Sequence, residues 1–322
     1  MKEKVSPNRK TGSLIVKNLI VLLAVVAAAF SGMYSWFYVS KPVANGIDVV
    51  CSKPDGISLA VVPHGAEPPK DSDYTVDASN TVELSNFEFI KNLSLTDVTS
   101  DGTEGSFYKQ PATVQGVNHW TKADMNSDYI SFDLYFRSRA QGNIYIRENS
   151  VVIPDSAPTK DSITDANLQE FKDCIVGATR VSILDETSSQ QKLLWVTAPN
   201  IWYDQKNKSV YTNINSSTVK TGLSAGDTFK HTYCDGKNDD TTVKSINSGN
   251  FFVASSLDSD SNYVLGQKKL VSVLRDYKQT FNTESYYVNH VTVNIWIEGT
   301  DAEAHKAFVG GKFKAILNFS VG

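Results

Sequence analysis

The stretch that decides the fold is YISFDLYF, Tyr129–Phe136. Apolar residues alternate strictly with other residues along it, so that one face carries Ile130, Phe132, Leu134 and Phe136. The opposite face carries Tyr129, Ser131, Asp133 and Tyr135. A period of two residues is typical of a β-strand that packs one face on a core and leaves the other face in solvent. We therefore expect an antiparallel sheet around this strand.

The same alternation recurs along most of the chain that follows residue 46, and it is strong in His290–Glu298 and Phe313–Val321. A period of 3.6 residues between Asp161 and Ile175 predicts one short amphipathic helix. About ten strands, one helix and long polar connections indicate an all-β fold, an antiparallel β-sandwich of the jelly-roll type. Two pairs of neighbouring runs predict hairpins: Ile47–Cys51 with Ile57–Val62, and Thr179–Leu184 with Leu193–Thr197.

The N-terminal part contains a long apolar segment, LIVLLAVVAAAFSGMYSWFYV at Leu19–Val39, which has no charged residue. A run of this length can cross a bilayer. The eighteen residues before it carry five basic residues and one acidic residue. Because basic flanks stay in the cytoplasm, this predicts three parts. They are a cytoplasmic basic tail at 1–18, a transmembrane anchor at 19–39 and an extracellular β domain at 40–322 on the cell membrane.

The same segment also has the parts of a cleavable secretory signal. Leu19–Phe30 is an apolar core preceded by positive charge, and Ala27–Ala29 supplies an A-x-A pattern. Cleavage there would make the protein secreted, with the aromatic residues of Tyr34–Tyr38 near its new N-terminus. Without cleavage those aromatic residues suit the membrane–water interface. Both interpretations remain open, whereas a buried helix of a cytosolic protein would be expected to show a polar face.

The charge and the motifs exclude several classes of function. The net charge is −4, and the first eighteen residues contribute +4, which leaves −8 for the remainder. Nucleic acid is not expected as a partner, because phosphate binding needs clustered Lys and Arg. The sequence contains no P-loop, no G-x-G-x-x-G motif and no G-x-S-x-G motif. We predict no cofactor and no enzymatic activity.

Three cysteines, Cys51, Cys174 and Cys234, are too few for a disulfide scaffold. In an oxidising exterior one pair can form, and Cys174 with Cys234 is our candidate. The alternative is that all three are ordinary buried thiols. No Cys/His spacing completes a tetrahedral zinc site.

A polar group near the C-terminus contains ligand types that divalent cations use: His290, Glu298, Asp301 and His305. It would serve a metal-dependent hydrolase, but a solvated polar loop explains the same residues, so no metal is assigned.

Two aromatic residues are candidates for stacking on a sugar. Because side chains alternate between the two faces of a strand, Trp296 and Tyr135 point away from the core faces of their strands. They would face a ligand unless these strands are buried on both sides.

Two short motifs carry a resemblance to a family. Gly32-Met33-Tyr34-Ser35-Trp36-Phe37 fits a G-x-Y-x-W-F entry, and Trp296-Ile297-Glu298-Gly299-Thr300-Asp301 fits a W-[IL]-E-G-x-D signature. The arrangement resembles the TasA/camelysin group of Gram-positive secreted or membrane-anchored proteins. The resemblance implies a jelly-roll domain, and members of the group include subunits of biofilm matrix fibres. A metallopeptidase label also occurs there, but this sequence has no zinc signature for it.

Together these observations predict a non-enzymatic protein of the cell surface or extracellular matrix. It would act by binding other proteins or itself, with fibre formation as one form. The alternatives are a module that binds carbohydrate or protein, and a metal-dependent hydrolase.

Overall fold

The structure is a computed structural model. It describes residues 48–52, 56–74, 81–83, 89–90, 93–109, 121–156, 175–186, 190–198, 201–204, 209–212, 232–234, 243–245, 250–254, 256–260, 262–274, 278–281, 284–299 and 312–322. All of these residues belong to one compact unit, 40–322. The predicted membrane or signal segment and nearly all of the predicted amphipathic helix lie outside the described residues.

The regular secondary structure of the described residues is almost entirely β-strand. The strands are, in chain order, β1 (Asp48–Ser52), β2 (Ser58–Pro63), β3 (Thr81–Glu83), β4 (Asp97–Val98), β5 (Tyr108–Lys109), β6 (Thr121–Lys122), β7 (Ile130–Ser138), β8 (Gly142–Ile146), β9 (Val151–Ser156), β10 (Thr179–Asp185) and β11 (Gln190–Val196). They continue as β12 (Ile201–Asp204), β13 (Ser209–Thr212), β14 (Thr232–Cys234), β15 (Val243–Ser245), β16 (Phe251–Val253), β17 (Ser256–Leu257), β18 (Tyr263–Val264), β19 (Lys269–Leu274), β20 (Lys278–Phe281), β21 (Glu284–Glu298) and β22 (Lys312–Val321). The helical segments among the described residues are a 3-10 helix, Asp71–Asp73, and a single turn of α-helix at 175–178. The all-β prediction is confirmed.

Most strands form two sheets of eight strands each. The first sheet has the order β17-β18-β9-β22-β1-β3, with β8 on β22 and β19 on β8. The second sheet has the order β16-β11-β10-β21-β7-β2, with β20 and β4 also on β21. Both sheets are mixed, because β1 lies parallel to β22 and β16 lies parallel to β11. Three two-stranded ribbons, β12-β13, β14-β15 and β5-β6, complete the described strands.

The inner faces of the two sheets share one hydrophobic core. Phe136 of β7 meets Phe319 of β22 edge to face, with ring centroids 5.3 Å apart. Both side chains are essentially inaccessible to solvent, as are Trp195 and Phe313 in the same core. The alternation in Tyr129–Phe136 therefore identified the inner face of β7 correctly. Burial of each large apolar side chain contributes roughly 1.5–3 kcal/mol to folding.

One predicted hairpin is confirmed and the other is wrong. β10 and β11 pair antiparallel, with a register shift between Ile183 and Leu184. β1 and β2, in contrast, belong to different sheets, because β1 pairs with β22 and β3 while β2 pairs with β7. A period of two residues indicates that a run is a strand, but it carries no information about which neighbour the strand takes.

The outer face of β7 is buried, which corrects the prediction that this face lies in solvent. All nine residues of β7 are buried. Residues 64–74 cover one part of the face, since His64 contacts Asp133, and residues 96–108 cover another. Gly102, at φ +78°, lies so close to this face that a Cβ atom would come within 3.0 Å of the Ser182 side chain. Only glycine combines this conformation with so close an approach.

Candidate functional site

A polar cluster built from four separate parts of the chain lies on the outer face of the second sheet. We call it the Asp133 cluster; its members are His64, Asp133, Glu186 and Thr292. Asp133 comes from the middle of β7 and is paired in register with Thr292 of β21. His64 follows β2 directly, and Glu186 follows β10. Four separate parts of the chain therefore place one side chain each at the same point.

Asp133 is the centre of this cluster. Its Oδ1 lies 2.7 Å from His64 Nδ1 and 2.6 Å from the Thr292 hydroxyl oxygen. Its Oδ2 accepts a hydrogen bond from the backbone N–H of Gly65 at 3.2 Å. The side chain is only 6% exposed, whereas that of His64 is 24% exposed. A buried carboxylate of this kind needs its partners, because an unsatisfied buried charge is costly.

The hydroxyl of Thr292 links two carboxyl groups. Its oxygen is 2.6 Å from Asp133 Oδ1 and 2.7 Å from Glu186 Oε1. The same oxygen is 3.2 Å from His64 Nδ1. A threonine hydroxyl has one proton, so it can donate to only one of the two carboxyl groups at a time. The Asp133 cluster therefore shares a small number of protons among four groups.

The electrostatics of the cluster shift two pKa values in opposite directions. The hydrogen bond to Asp133 raises the pKa of His64, and the charges of Asp133, Glu186 and Glu104 add to this against the effect of burial. For Asp133, burial acts to raise the pKa, but the hydrogen bonds from His64 and Thr292 outweigh it. The net pKa of Asp133 is lowered. Both shifts favour a charged pair of imidazolium and carboxylate.

Tyr135, one of the two predicted ligand-facing aromatic residues, lies beside this cluster. Its ring stacks on His290 with centroids 4.5 Å apart and an interplanar angle of 12°. Tyr135 is 9% exposed and also packs with Ala60 and Tyr74. It lies on the predicted outer face, but one side of its ring is taken by the imidazole and little of the residue reaches solvent.

Trp296, the second predicted ligand-facing residue, is fully buried. It lies on the outer face, as its parity predicts, but Val98, Phe107 and Leu194 enclose it in a second apolar cluster. Its Nε1 donates a hydrogen bond to Glu298 Oε2 at 3.0 Å. Trp296 therefore presents no open ring face to a sugar, because its strand is buried on both sides.

The predicted metal group does not assemble around His290 and Glu298. Both residues belong to β21, eight positions apart. A strand rises about 3.4 Å per residue, which separates them by about 27 Å along the strand. Glu298 instead accepts hydrogen bonds from Trp296 and from the backbone N–H of Ser100. Asp301 and His305 lie outside the described residues. Among the residues that the structure describes, no group of three His, Cys, Asp or Glu side chains could hold a metal ion.

The predicted Cys174–Cys234 disulfide remains a prediction. Cys174 lies outside the described residues, and Cys234 is described only through its place in β14. Cys51 is likewise known only as a position in β1.

Sequence reasoning missed the Asp133 cluster. Asp133 and Thr292 are 159 residues apart, and His64 is 69 residues from Asp133. The available signal was that Asp133 occurs on the polar face of a strongly alternating strand. Such a position predicts solvent exposure, because nothing in the local pattern identifies a covering segment.

No family model, no curated protein and no solved structure matches this chain. Within the described part of the chain, no helix is both long enough and apolar enough to span a membrane.

Proposed function

We propose that this chain is a non-enzymatic protein of the cell surface or extracellular matrix that acts by binding other proteins and copies of itself. In this proposal the segment 19–39 anchors or exports a β domain that is an elaborated jelly roll. Self-association into fibres is the specific form that we favour. The resemblance to the TasA/camelysin group supports the proposal at the level of short motifs.

The observation that carries the proposal is the position of β1. This strand lies between β22 and β3 in the first sheet, parallel to β22 with Val50 opposite Ile316. It therefore has a hydrogen-bonded neighbour on each side, and the long ladder is to a strand more than 250 residues away in sequence. β1 does not pair with β2, the next strand along the chain. Because the hydrogen bonds of its ladder join main-chain groups, the β1 position in a sheet can be filled by the same copy or by another copy.

The experiment measures self-association of the full chain and of a variant with a broken β1 ladder. Val50→Pro removes one backbone N–H from a strand that has neighbours on both sides, whereas Val50→Thr keeps the N–H and the β-branched shape. Analytical ultracentrifugation over a dilution series should show concentration-dependent oligomers for the wild type and for Val50→Thr. Val50→Pro should shift the distribution towards monomer.

The location is tested separately. Protease accessibility on intact cells, with sequencing of the N-terminus from cells and from medium, distinguishes the tethered form from the secreted form. A wild-type chain that stays monomeric at the highest concentration and binds no envelope protein would contradict the proposed function.

A further inference from the structure

The segment 64–74, which we call the cover segment, is attached to the outer face of the second sheet at two ends. At its beginning, His64 and the N–H of Gly65 contact Asp133. At its end, Asp71 pairs with Arg137, whose guanidinium lies 4.1 Å from the ring centroid of Tyr74. Asp133 and Arg137 both belong to β7, four positions apart and on the same face. The two attachments are therefore independent and lie along one strand.

The two ends of the cover segment respond differently to pH. The Arg137 end is held by a guanidinium group, which stays charged at every accessible pH. The His64 end is held by an imidazole, whose charge changes in the physiological range. We propose that His64 and Asp133 form a pH-sensitive latch, which closes the cover segment on the sheet and releases its His64 end as the pH rises.

The groups that face His64 come from several elements, and the charged ones among them are carboxylates. Asp133 faces it from β7 and Glu186 from the end of β10, while Glu104 acts on it from the 96–108 region. Thr292 of β21 faces it as a neutral hydroxyl. A positive imidazolium is therefore stabilised in the closed state, whereas a neutral imidazole loses the charge-assisted part of the contact.

The direction of the switch follows from these contacts. The pKa of His64 is raised in the folded protein, so the latch is complete below the ordinary value of about 6.5 and weakens as the pH rises through the raised value. The pKa of Asp133 is lowered, so the carboxylate loses its charge only in strong acid. The latch is thus closed at mildly acidic pH and opens on the alkaline side.

Release of the His64 end would open the Asp133 cluster to solvent. Asp133, whose side chain is only 6% exposed, and the buried Thr292 would lose the imidazole that lies against them. The neighbouring apolar cluster around Tyr74 would stay covered, because Tyr74 belongs to the Arg137 end, which remains attached.

The test is hydrogen exchange of the full chain, followed by mass spectrometry, on the peptide that contains residues 64–74. The quantity is the ratio of the exchange rates in His64→Gln and in the wild type at the same pH, because the intrinsic pH dependence of exchange cancels in that ratio. Glutamine can still form a hydrogen bond but cannot become charged. We expect a ratio of about three- to tenfold at about pH 6, which approaches one at about pH 9.

His290→Gln is the matched control, since His290 lies on the same face, where it is paired with Tyr135 and stacks on its ring, while Asp133 is paired with Thr292. Its ratio should not change between the two pH values. The wild type supplies a second measurement that needs no variant, namely the protection factor of the 64–74 peptide, which should fall as the pH rises. A constant wild-type protection factor, or equal pH profiles for the two variants, would overturn the proposal.

Discussion

The outer faces of β7 and β22 differ, although the two strands have the same alternating sequence pattern. The outward residues of β7, which include Asp133 and Arg137, are all buried under loops of the chain. Several outward residues of β22, including Lys312 and Lys314, remain partly exposed. Nearby on the first sheet, Leu270 is 42% exposed. Alternation therefore identifies the inner face of each sheet. Whether the outer face is exposed to solvent depends on segments that are distant in sequence.

The largest expected difference is between Trp296 and Tyr145, one aromatic residue from each outer face. Trp296→Ala should lower the free energy of unfolding by about 3–5 kcal/mol, because it empties a fully enclosed site. Tyr145→Ala should cost about 1 kcal/mol or less, because that residue is only partly buried. Denaturant unfolding of both variants measures the difference. Equal costs would mean that the outer faces do not differ energetically.

The next difference concerns charged residues at equivalent outward positions. Asp133→Ala should cost about 2–4 kcal/mol, since it leaves the N–H of Gly65 without its acceptor and removes the buried carboxylate that pairs with His64. Lys314→Ala should change stability by less than about 0.5 kcal/mol. Thermal unfolding at neutral pH is sufficient to compare them. A small effect at Asp133 would indicate that solvent reaches the cluster.

A smaller difference is expected between two neighbouring arginines. Arg137 lies between the rings of Tyr74 and Tyr286, with 4.1 and 4.6 Å to their centroids. Arg137→Lys should cost about 1–2 kcal/mol, because lysine lacks the planar group that stacks on both rings. Arg139, which pairs with Glu284 in solvent, is the matched control, and Arg139→Lys should have no measurable effect on unfolding.

The smallest effect is the contribution of His64 to global stability. Its raised pKa means that the contribution is complete below about pH 6.5 and is lost as the pH rises through the value in the folded protein. His64→Gln should therefore be less stable than the wild type by about 0.5–1 kcal/mol at about pH 6. The two proteins should converge at about pH 9. Urea unfolding at the two pH values tests this, and an opposite trend would contradict the sign.

Much of the architecture was predictable from the sequence. The period of two residues correctly identified β7, β10, β11, β21 and β22 as strands, because local alternation reflects burial of one face on the core. The β10–β11 hairpin was predictable for the same reason, since its two strands are neighbours in sequence and in space.

The pairing of β1 and the composition of the Asp133 cluster were not predictable in this way. β1 finds its partners at Ile316 and Glu83, opposite Val50, and no local pattern encodes this choice. Asp133 and Thr292 meet because β7 and β21 are adjacent and in register, and His64 reaches them from an irregular segment. Such contacts depend on topology, which a periodicity does not contain.

The central place of β22 in the first sheet has a consequence for how the chain is made. β1, β8 and β9 all pair with β22, yet β22 follows every other described strand in the sequence. The first sheet therefore cannot close until Lys312–Val321 has been synthesised and has reached the rest of the chain. Until then β1, β8 and β9 each lack the hydrogen-bonded neighbour that β22 provides. A nascent chain thus stays open to a chaperone or to another copy until β22 has been made.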